Sequence, residues 1–271
     1  MRGSSKVNLD AAMDRFAPVL TDAGAQASEL GRDLYTVVDV LDSSGSLRRA
    51  LTDPAAAADA KSTLSTRLLT GKVDDRVTAL VAGLVRSRWS TERDLGNAVE
   101  DLALDAVLAG AQHEGVLEKV EDEIFRLDRI LVGQRGLRQA LADASATAEA
   151  RSALVGTLLS GKVTDRTLQL VQRVAARPRG RSVNASLVEI GSRAAARRAR
   201  LVASVTAASV LSTKQQKRLS TVLERLYQRP LQLNVAVDPS MLGGLRIQVG
   251  SEVVDGTILA RLDEARRRLA G

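Results

Sequence analysis

Cysteine is absent from the 271 residues, which excludes disulfides, thiolate metal sites and cysteine nucleophiles. Histidine occurs once, as His113, so no multi-histidine metal site can form. Aromatic side chains make up 2%. Any core must therefore be built from Leu, Val, Ile and Ala, and the usual stacking platforms for bases, sugars or flavins are missing. No apolar run approaches the roughly 20 residues needed to cross a bilayer. Residues 1–10 are polar and lack the apolar stretch of a signal peptide. Together these absences point to a cytosolic protein. What is present is aliphatic: hydrophobic residues reach 45%, a composition that favours helices packed through aliphatic stripes.

The net charge of +7 is unevenly placed. Residues 181–271 carry 15 Lys and Arg against 7 Asp and Glu, whereas residues 1–180 carry 24 against 25. The whole basic excess lies in the last third, which predicts an acidic partner there: nucleic acid, anionic lipid or an acidic protein surface.

The first two thirds contain an internal repeat. Residues 47–81, beginning LRRALTDP, recur without a gap at 137–171, beginning LRQALADA, an offset of 90. Leu51/Leu141, Asp53/Asp143, Leu68/Leu158, Gly71/Gly161, Lys72/Lys162, Asp75/Asp165, Arg76/Arg166 and Leu80/Leu170 are identical pairs. Upstream, Leu34, Tyr35, Val37 and Leu41 face Ile124, Phe125, Leu127 and Leu131. A period of 90 suits a duplicated helical bundle better than a solenoid. Leu34, Val37, Val38 and Leu41 form an i, i+3, i+4, i+7 stripe. Asp53-Pro54 predicts a helix start, Gly71 a left-handed helix end, and Asp74 or Asp75 the cap of the next helix. His113, beside Gly115, reads as a surface or capping residue. The run from Gly156 to Lys162 resembles a nucleotide-binding phosphate loop, but Val163 follows Lys162 where a magnesium-binding hydroxyl would stand. The stretch is a helix C-terminus rather than a strand-to-helix loop.

After about residue 200 the period changes. Leu201 to Ala207 reads as a strand. Ser212 with Gln215 three residues on is a capping box opening a helix with Leu219, Val222, Leu223 and Leu226. Pro230 ends it. Leu231, Leu233, Val235 and Val237 alternate as a strand, as do Leu245, Ile247 and Val249. Asp238-Pro239 and Gly243-Gly244 are turn signals, and residues 258–269 read as a last helix. The fold class predicted is mainly α: two tandem helical bundles followed by a small mixed β-α-β-β-α module. The expected domains are 1–95 (an N-terminal helix and one copy of the bundle), 96–198 (the second bundle) and 199–271 (the α/β module).

The terminal run VDPSMLGGLRIQVGSEVVDGT, with a basic helix ending RRRLAG, resembles the C-terminal signature of the ATP synthase delta subunit family. The mitochondrial member is the oligomycin-sensitivity-conferring protein. Asp238, Pro239, Gly243, Gly244, Asp255, Gly256 and Thr257 carry the resemblance; the family often has Ser at the place of Thr257. Residues 102–131 resemble the family's first helical hairpin, so one complete family member spans about 95–271 and the preceding bundle is an extra copy. That arrangement resembles the duplicated one of actinobacterial enzymes, in which delta is sometimes fused behind the b chain. Here Met1 opens directly on the extra domain, which implies that b is a separate chain.

The resemblance implies a non-catalytic subunit of the peripheral stalk of a proton-translocating F-type ATP synthase. It implies no cofactor, no metal and no homo-oligomer. The implied partners are the N-terminal helices of the alpha subunits and the membrane-anchored b subunit. Contact with the membrane is then indirect, at the cytoplasmic face. The downstream bundle is the expected binder of the alpha subunits. Arg193, Arg197, Arg198, Arg200, Arg266, Arg267 and Arg268 are possible basic residues facing b. Two other classes compete. A basic nucleic-acid-binding helical protein fits the sequence pI of about 10.2, but stacking aromatics and a helix-turn-helix signature are missing. A carboxylate-using helical enzyme has no supporting constellation of residues.

Overall fold

The structure is a computed structural model that describes residues 3–199, 201–227, 231–241, 243–249 and 252–256. The chain divides into two compact units, 1–195 and 196–271.

In the first unit the 90-residue repeat becomes a repeat of helices. Helices α2 (Ala27–Ser43), α3 (Gly45–Thr52), α4 (Ala58–Leu69) and α5 (Asp75–Leu84) return as α7 (Leu117–Gly133), α8 (Arg135–Ala142), α9 (Ala148–Leu159) and α10 (Asp165–Ala176). Three more helices stand one period apart: α1 (Ser4–Ala23), α6 (Glu92–His113) and α11 (Val183–Ala199), the last running across the division between the units. The buried positions agree: Leu9, Ala12 and Phe16 of α1 correspond to Val99, Leu102 and Ala106 of α6, and all six are buried. Helix α6 packs against α1, α2 and α3 of the first copy and against α7 and α10 of the second. It closes the first bundle and opens the second, and one contiguous, mostly aliphatic core with Phe16, Tyr35 and Trp89 in it runs from Leu9 to Ala194. The expected division at residue 95 is thus a division of the repeat that falls inside α6, not a gap between compact bodies. The expected division at 198/199 lies close to the observed one at 195/196.

Identical local devices fix both copies. Asp33 on α2 accepts a hydrogen bond from Asp74 N (2.7 Å) where α5 begins, and Glu123 on α7 accepts one from Thr164 N (2.9 Å) where α10 begins. Asp74 caps α5 through Arg76 N (2.8 Å), and Thr164 caps α10 through Thr167 N (3.2 Å). Such caps satisfy the first orphan amides of a helix. Arg48 reaches back to Leu41 O and Asp42 O, and Arg138 to Leu131 O and Val132 O. Gly71 and Gly161 are both left-handed, φ 74° and 73°. In the phosphate-loop look-alike Lys162 Nζ donates to Leu158 O (2.9 Å), folded onto the end of its own helix. Asp53-Pro54 does not start a helix. Asp53 follows α3 and its Oδ1 accepts from Ala55 N (2.8 Å), as Asp143 does from Ser145 N (2.8 Å). This side-chain turn competes with helical pairing and delays α4 to Ala58.

The second unit is a four-stranded sheet with order β2-β1-β3-β4, made of β1 (Leu201–Ala207), β2 (Leu231–Val237), β3 (Leu245–Val249) and β4 (Glu252–Asp255). β1 and β2 are parallel and joined through helix α12 (Thr213–Tyr227); β1–β3 and β3–β4 are antiparallel. The capping box forms: Ser212 N donates to Gln215 Oε1 (2.8 Å) and Gln215 N to Ser212 Oγ (3.3 Å). Ala203, Leu223, Leu231 and Val249 make the core. β4 is a strand beyond the expected β-α-β-β-α order. Val253 and Val254 pair with Gln248 and Ile247 as a fourth strand, a conformation that two adjacent β-branched residues favour. The expected helix over 258–269 lies outside the described residues.

Candidate functional site

The two repeats meet along a charged seam within the first unit. On one side stand Tyr35, Asp39 and Asp42 of α2 and Asn97, Glu100 and Asp101 of α6. On the other stand Arg173 of α10, Arg177 and Arg179 of the stretch that follows it, and Glu189 and Arg193 of α11. Arg173 binds Asp39 (2.7 Å) and lies 3.7 Å from Glu100. Arg177 is 3.4 Å from Asp39. Arg179 binds Asp42 (3.0 Å) and Glu100 (2.8 Å) and donates to Asn97 Oδ1 (2.9 Å). Arg193 binds Asp101 and Glu189, each at 2.6 Å. Arg173 also lies over the ring of Tyr35, 4.6 Å from its centroid, a cation–π contact.

Burial sets the electrostatics of this seam. Desolvation holds the Glu100 carboxyl above its ordinary range, with Arg179 and Arg173 only partly opposing it. Asp101 is raised for the same reason, against Arg193 and Arg181. The Tyr35 phenol is also pushed up, by burial and then by Glu100. Arg193 is lowered by burial but lifted by more through Asp101 and Glu189, and stays charged. The sign of the pH effect follows. Glu100 and Asp101 hold protons to higher pH folded than unfolded, so folding takes up protons between the ordinary carboxylate range and the raised one. Their contribution to stability is largest below the ordinary range, falls as pH rises through the window and is flat above it. The double variant E100Q/D101N is expected to lose that downward slope, read as the urea midpoint between pH 4 and 7. An unchanged slope counts against buried carboxylates here.

The seam withdraws Arg193 from the set of arginines expected to face a partner, since its guanidinium is neutralised within the chain. Arg197 is buried as well, 6% exposed, and Arg198 is exposed. Arg200 and Arg266–Arg268 lie outside the described residues. The sequence reading passed over a different basic row. Lys214, Lys217, Arg218 and Arg225 follow at i, i+3, i+4 and i+11 of α12, and all four are exposed. That spacing lines one helix face and was open to detection.

The motif residues of the second unit build its turns. Asp238 N donates to Ala207 O (2.9 Å), and its carboxylate accepts from Ser240 N (2.9 Å) and Ser240 Oγ (2.6 Å), bonds that hold it below the ordinary carboxyl range. Pro239 follows in the exposed turn. Gly243 and Gly244 have φ of 143° and 91°, a region L side chains avoid. Asp255 ends β4 opposite Arg246. Gly256 N donates to Leu245 O (2.9 Å), and a Cβ at Gly256 would stand 3.1 Å from that oxygen. Thr257 lies outside the described residues. Among the described residues no group of three or more His, Asp or Glu could hold a metal ion, and no helix is long and apolar enough to cross a membrane.

A family model described as ATP synthase delta (OSCP) subunit matches residues 105–269. The chain is 54% identical over 271 residues to a protein named ATP synthase subunit delta from Beutenbergia cavernae, covering 100% of both chains. It is 48% identical over 268 residues to a protein of the same name from Streptomyces avermitilis, covering 99% of this chain and 98% of that one. One from Thermobifida fusca is 44% identical over 271 residues, 100% of both. Among solved structures, a chain of the Toxoplasma gondii mitochondrial ATP synthase hexamer matches at 16% identity over 62% of this chain and 95% of that one, with a TM-score of 0.28.

Proposed function

The chain belongs to the ATP synthase delta (OSCP) subunit family and is a peripheral-stalk subunit of an F-type ATP synthase, and on that premise we propose that it joins the alpha subunits to the b subunit without catalysing a reaction. The stalk holds the catalytic head against a turning rotor, so this chain must transmit force without yielding. The observation that carries the reading is the seam: three ion pairs of 2.7 to 3.4 Å run from Asp39 and Asp42 of the first repeat to Arg173, Arg177 and Arg179 of the second, and three more fasten the shared helix α6 to Arg173, Arg179 and Arg193. Side chains packed and paired on rigid helices resist displacement better than two bundles on a linker.

The second repeat and the α/β unit lie within the family-model match, 105–269, and the second repeat is our assignment for the alpha subunits. The stretches 1–95, 96–198 and 199–271, the first two meeting inside helix α6, then become an extra repeat, the head-facing repeat and the stalk-facing module. The exposed row of α12 suits an acidic surface on b. Attraction of this kind speeds and orients docking more than it deepens affinity. The complex sits at the cytoplasmic face of the membrane, and the chain touches the bilayer through b alone. Pulling down the tagged chain from solubilised membranes should recover alpha, beta and b. The variant K214E/K217E/R218E should keep alpha and lose b, with a steeper salt dependence for the wild-type b contact than for the alpha contact. Recovery of b undiminished by the charge reversal removes the α12 assignment.

A further inference from the structure

The two repeats differ at one buried position. Ser65 on α4 stands where α9 carries Val155, and the two are 1% and 2% exposed. Val155 puts two methyl groups into the core of the second repeat. Ser65 puts a single hydroxyl there and turns it back onto its own helix, donating to Ser62 O (2.8 Å). In the first repeat a cavity of about 120 Å³ lies beside Ser65, walled by residues of α2, α3, α4 and α5.

Its floor is aliphatic. Val37, Leu41, Leu51 and Val81 line it and are at most 3% exposed. Apart from Thr36, Ser65 and Lys72, every residue lining it is Val or Leu. Its mouth lies at the surface, where Thr36, Val40 and Lys72 are exposed. Lys72 is the one charged residue of the lining. A water molecule in such a cavity needs about two to four polar partners, and an apolar floor does not supply them. Apolar cavities of about 150 Å³ stay dry and take up benzene. On that scale this one has room for about five or six carbon atoms.

We propose that the cavity of the first repeat binds a small aliphatic carboxylate. Its tail, of about five or six carbons, lies among Leu41, Leu51 and Val81, and its carboxylate stands at the mouth beside Lys72. The apolar floor selects the tail, and the single cation at the mouth selects the sign of the head group. Four helices share the walls, so an occupant stabilises the first repeat by mass action. The site is independent of the stator role, since it takes a free small molecule and can be measured on the chain by itself, without alpha or b.

Titration of the full chain with carboxylates of rising length, followed by ligand-observed NMR, tests the site. From butanoate to pentanoate to hexanoate the dissociation constant should fall about fourfold per step, the factor set by burying one methylene. Acetate should not bind. Hexylammonium should bind at least about fivefold more weakly than hexanoate, the factor given by one pair of unit charges about 4 Å apart in water. Lys72→Met, at an exposed position, should remove that preference. Ser65→Val gives the first repeat the residue of the second. It should abolish hexanoate binding and keep or raise the thermal midpoint, since cavity filling is stabilising. The proposal is overturned if hexanoate binds no better than acetate, if Ser65→Val binds it as tightly as the wild type, or if hexylammonium binds equally well. Hexanoate binding, taken as the difference between wild type and Ser65→Val, should persist when the chain is assembled with alpha and b. Its disappearance there gives the cavity to a partner's side chain and also overturns the proposal.

Discussion

Replacing Arg179 with Ala is expected to cost the helical unit about 1.5–3 kcal/mol, the scale of hydrogen bonds to charged groups, because its partners Asp42 and Glu100 keep 37% and 27% of their side-chain surface exposed. Arg179 is 16% exposed at its side chain and holds Asp42, Glu100 and Asn97 together. Its removal leaves Glu100 with Arg173 at 3.7 Å and takes from Asp42 its partner at 3.0 Å. Arg179 is also the one non-glycine residue with positive φ (49°) among the described residues, a conformation that costs about 1–2 kcal/mol. The network holds it there. Arg179→Gly separates the two effects, since glycine adopts that φ freely: it should still lose most of the stability, because the ion pairs and not the backbone are at stake. Urea unfolding followed by circular dichroism measures both variants. A cycle with Asp42→Ala should return a coupling of about 1 kcal/mol or more, as expected of residues in one network. A loss below about 1 kcal/mol for Arg179→Ala would place the arginine at a solvated surface, where ion pairs contribute little.

Gly31→Glu, which puts into the first repeat what the second carries as Glu121, is expected to have a still larger effect. Even Gly31→Ala must push a Cβ against Ala103 O at 2.9 Å, a backbone atom that cannot swing aside. Overpacking of this kind costs about 1–3 kcal/mol, against which alanine's better helix propensity returns about 1 kcal/mol. Glutamate adds a charge between Leu30 and Leu34, buried to 1% and 0%. A buried carboxylate without a partner is among the costliest single changes. The thermal midpoint should fall by well over 10 °C for Gly31→Glu, and the reverse change Glu121→Gly should be far milder, since Glu121 stands at a half-buried position with its carboxylate in reach of water. Equal effects at the two positions would mean that α2 and α6 are not in close contact.

The helices were legible in the sequence because aliphatic spacing and an ungapped 90-residue repeat are local signals. Leu34, Val37, Val38 and Leu41 declared their face, and Ser212 with Gln215 declared a helix start. The strands of the α/β unit were visible wherever apolar and polar residues alternate, and β4 was missed because Val253-Val254 does not alternate. The seam was invisible for a different reason. Arg173 and Asp39 are 134 residues apart, and nothing in an arginine's own neighbourhood states whether it meets a carboxylate or water. Arg193 looked like surface charge on the same grounds. The double duty of α6 was hidden too: a repeat shows that helices recur, not that one helix serves both copies. Gly31 is an ordinary glycine in sequence, and only the approach of α6 gives it meaning.

The two repeats form one mechanical body closed by the seam. Native-state hydrogen exchange on the full chain, read by mass spectrometry in rising denaturant, tests it most directly. Peptides from α2 and α10 should open together, with one free energy and one denaturant dependence, and Arg179→Ala should lower both to the same extent. If α2 exchanges through an opening that leaves α10 protected, and the variant moves only one of them, the repeats are separate bodies and the account is contradicted.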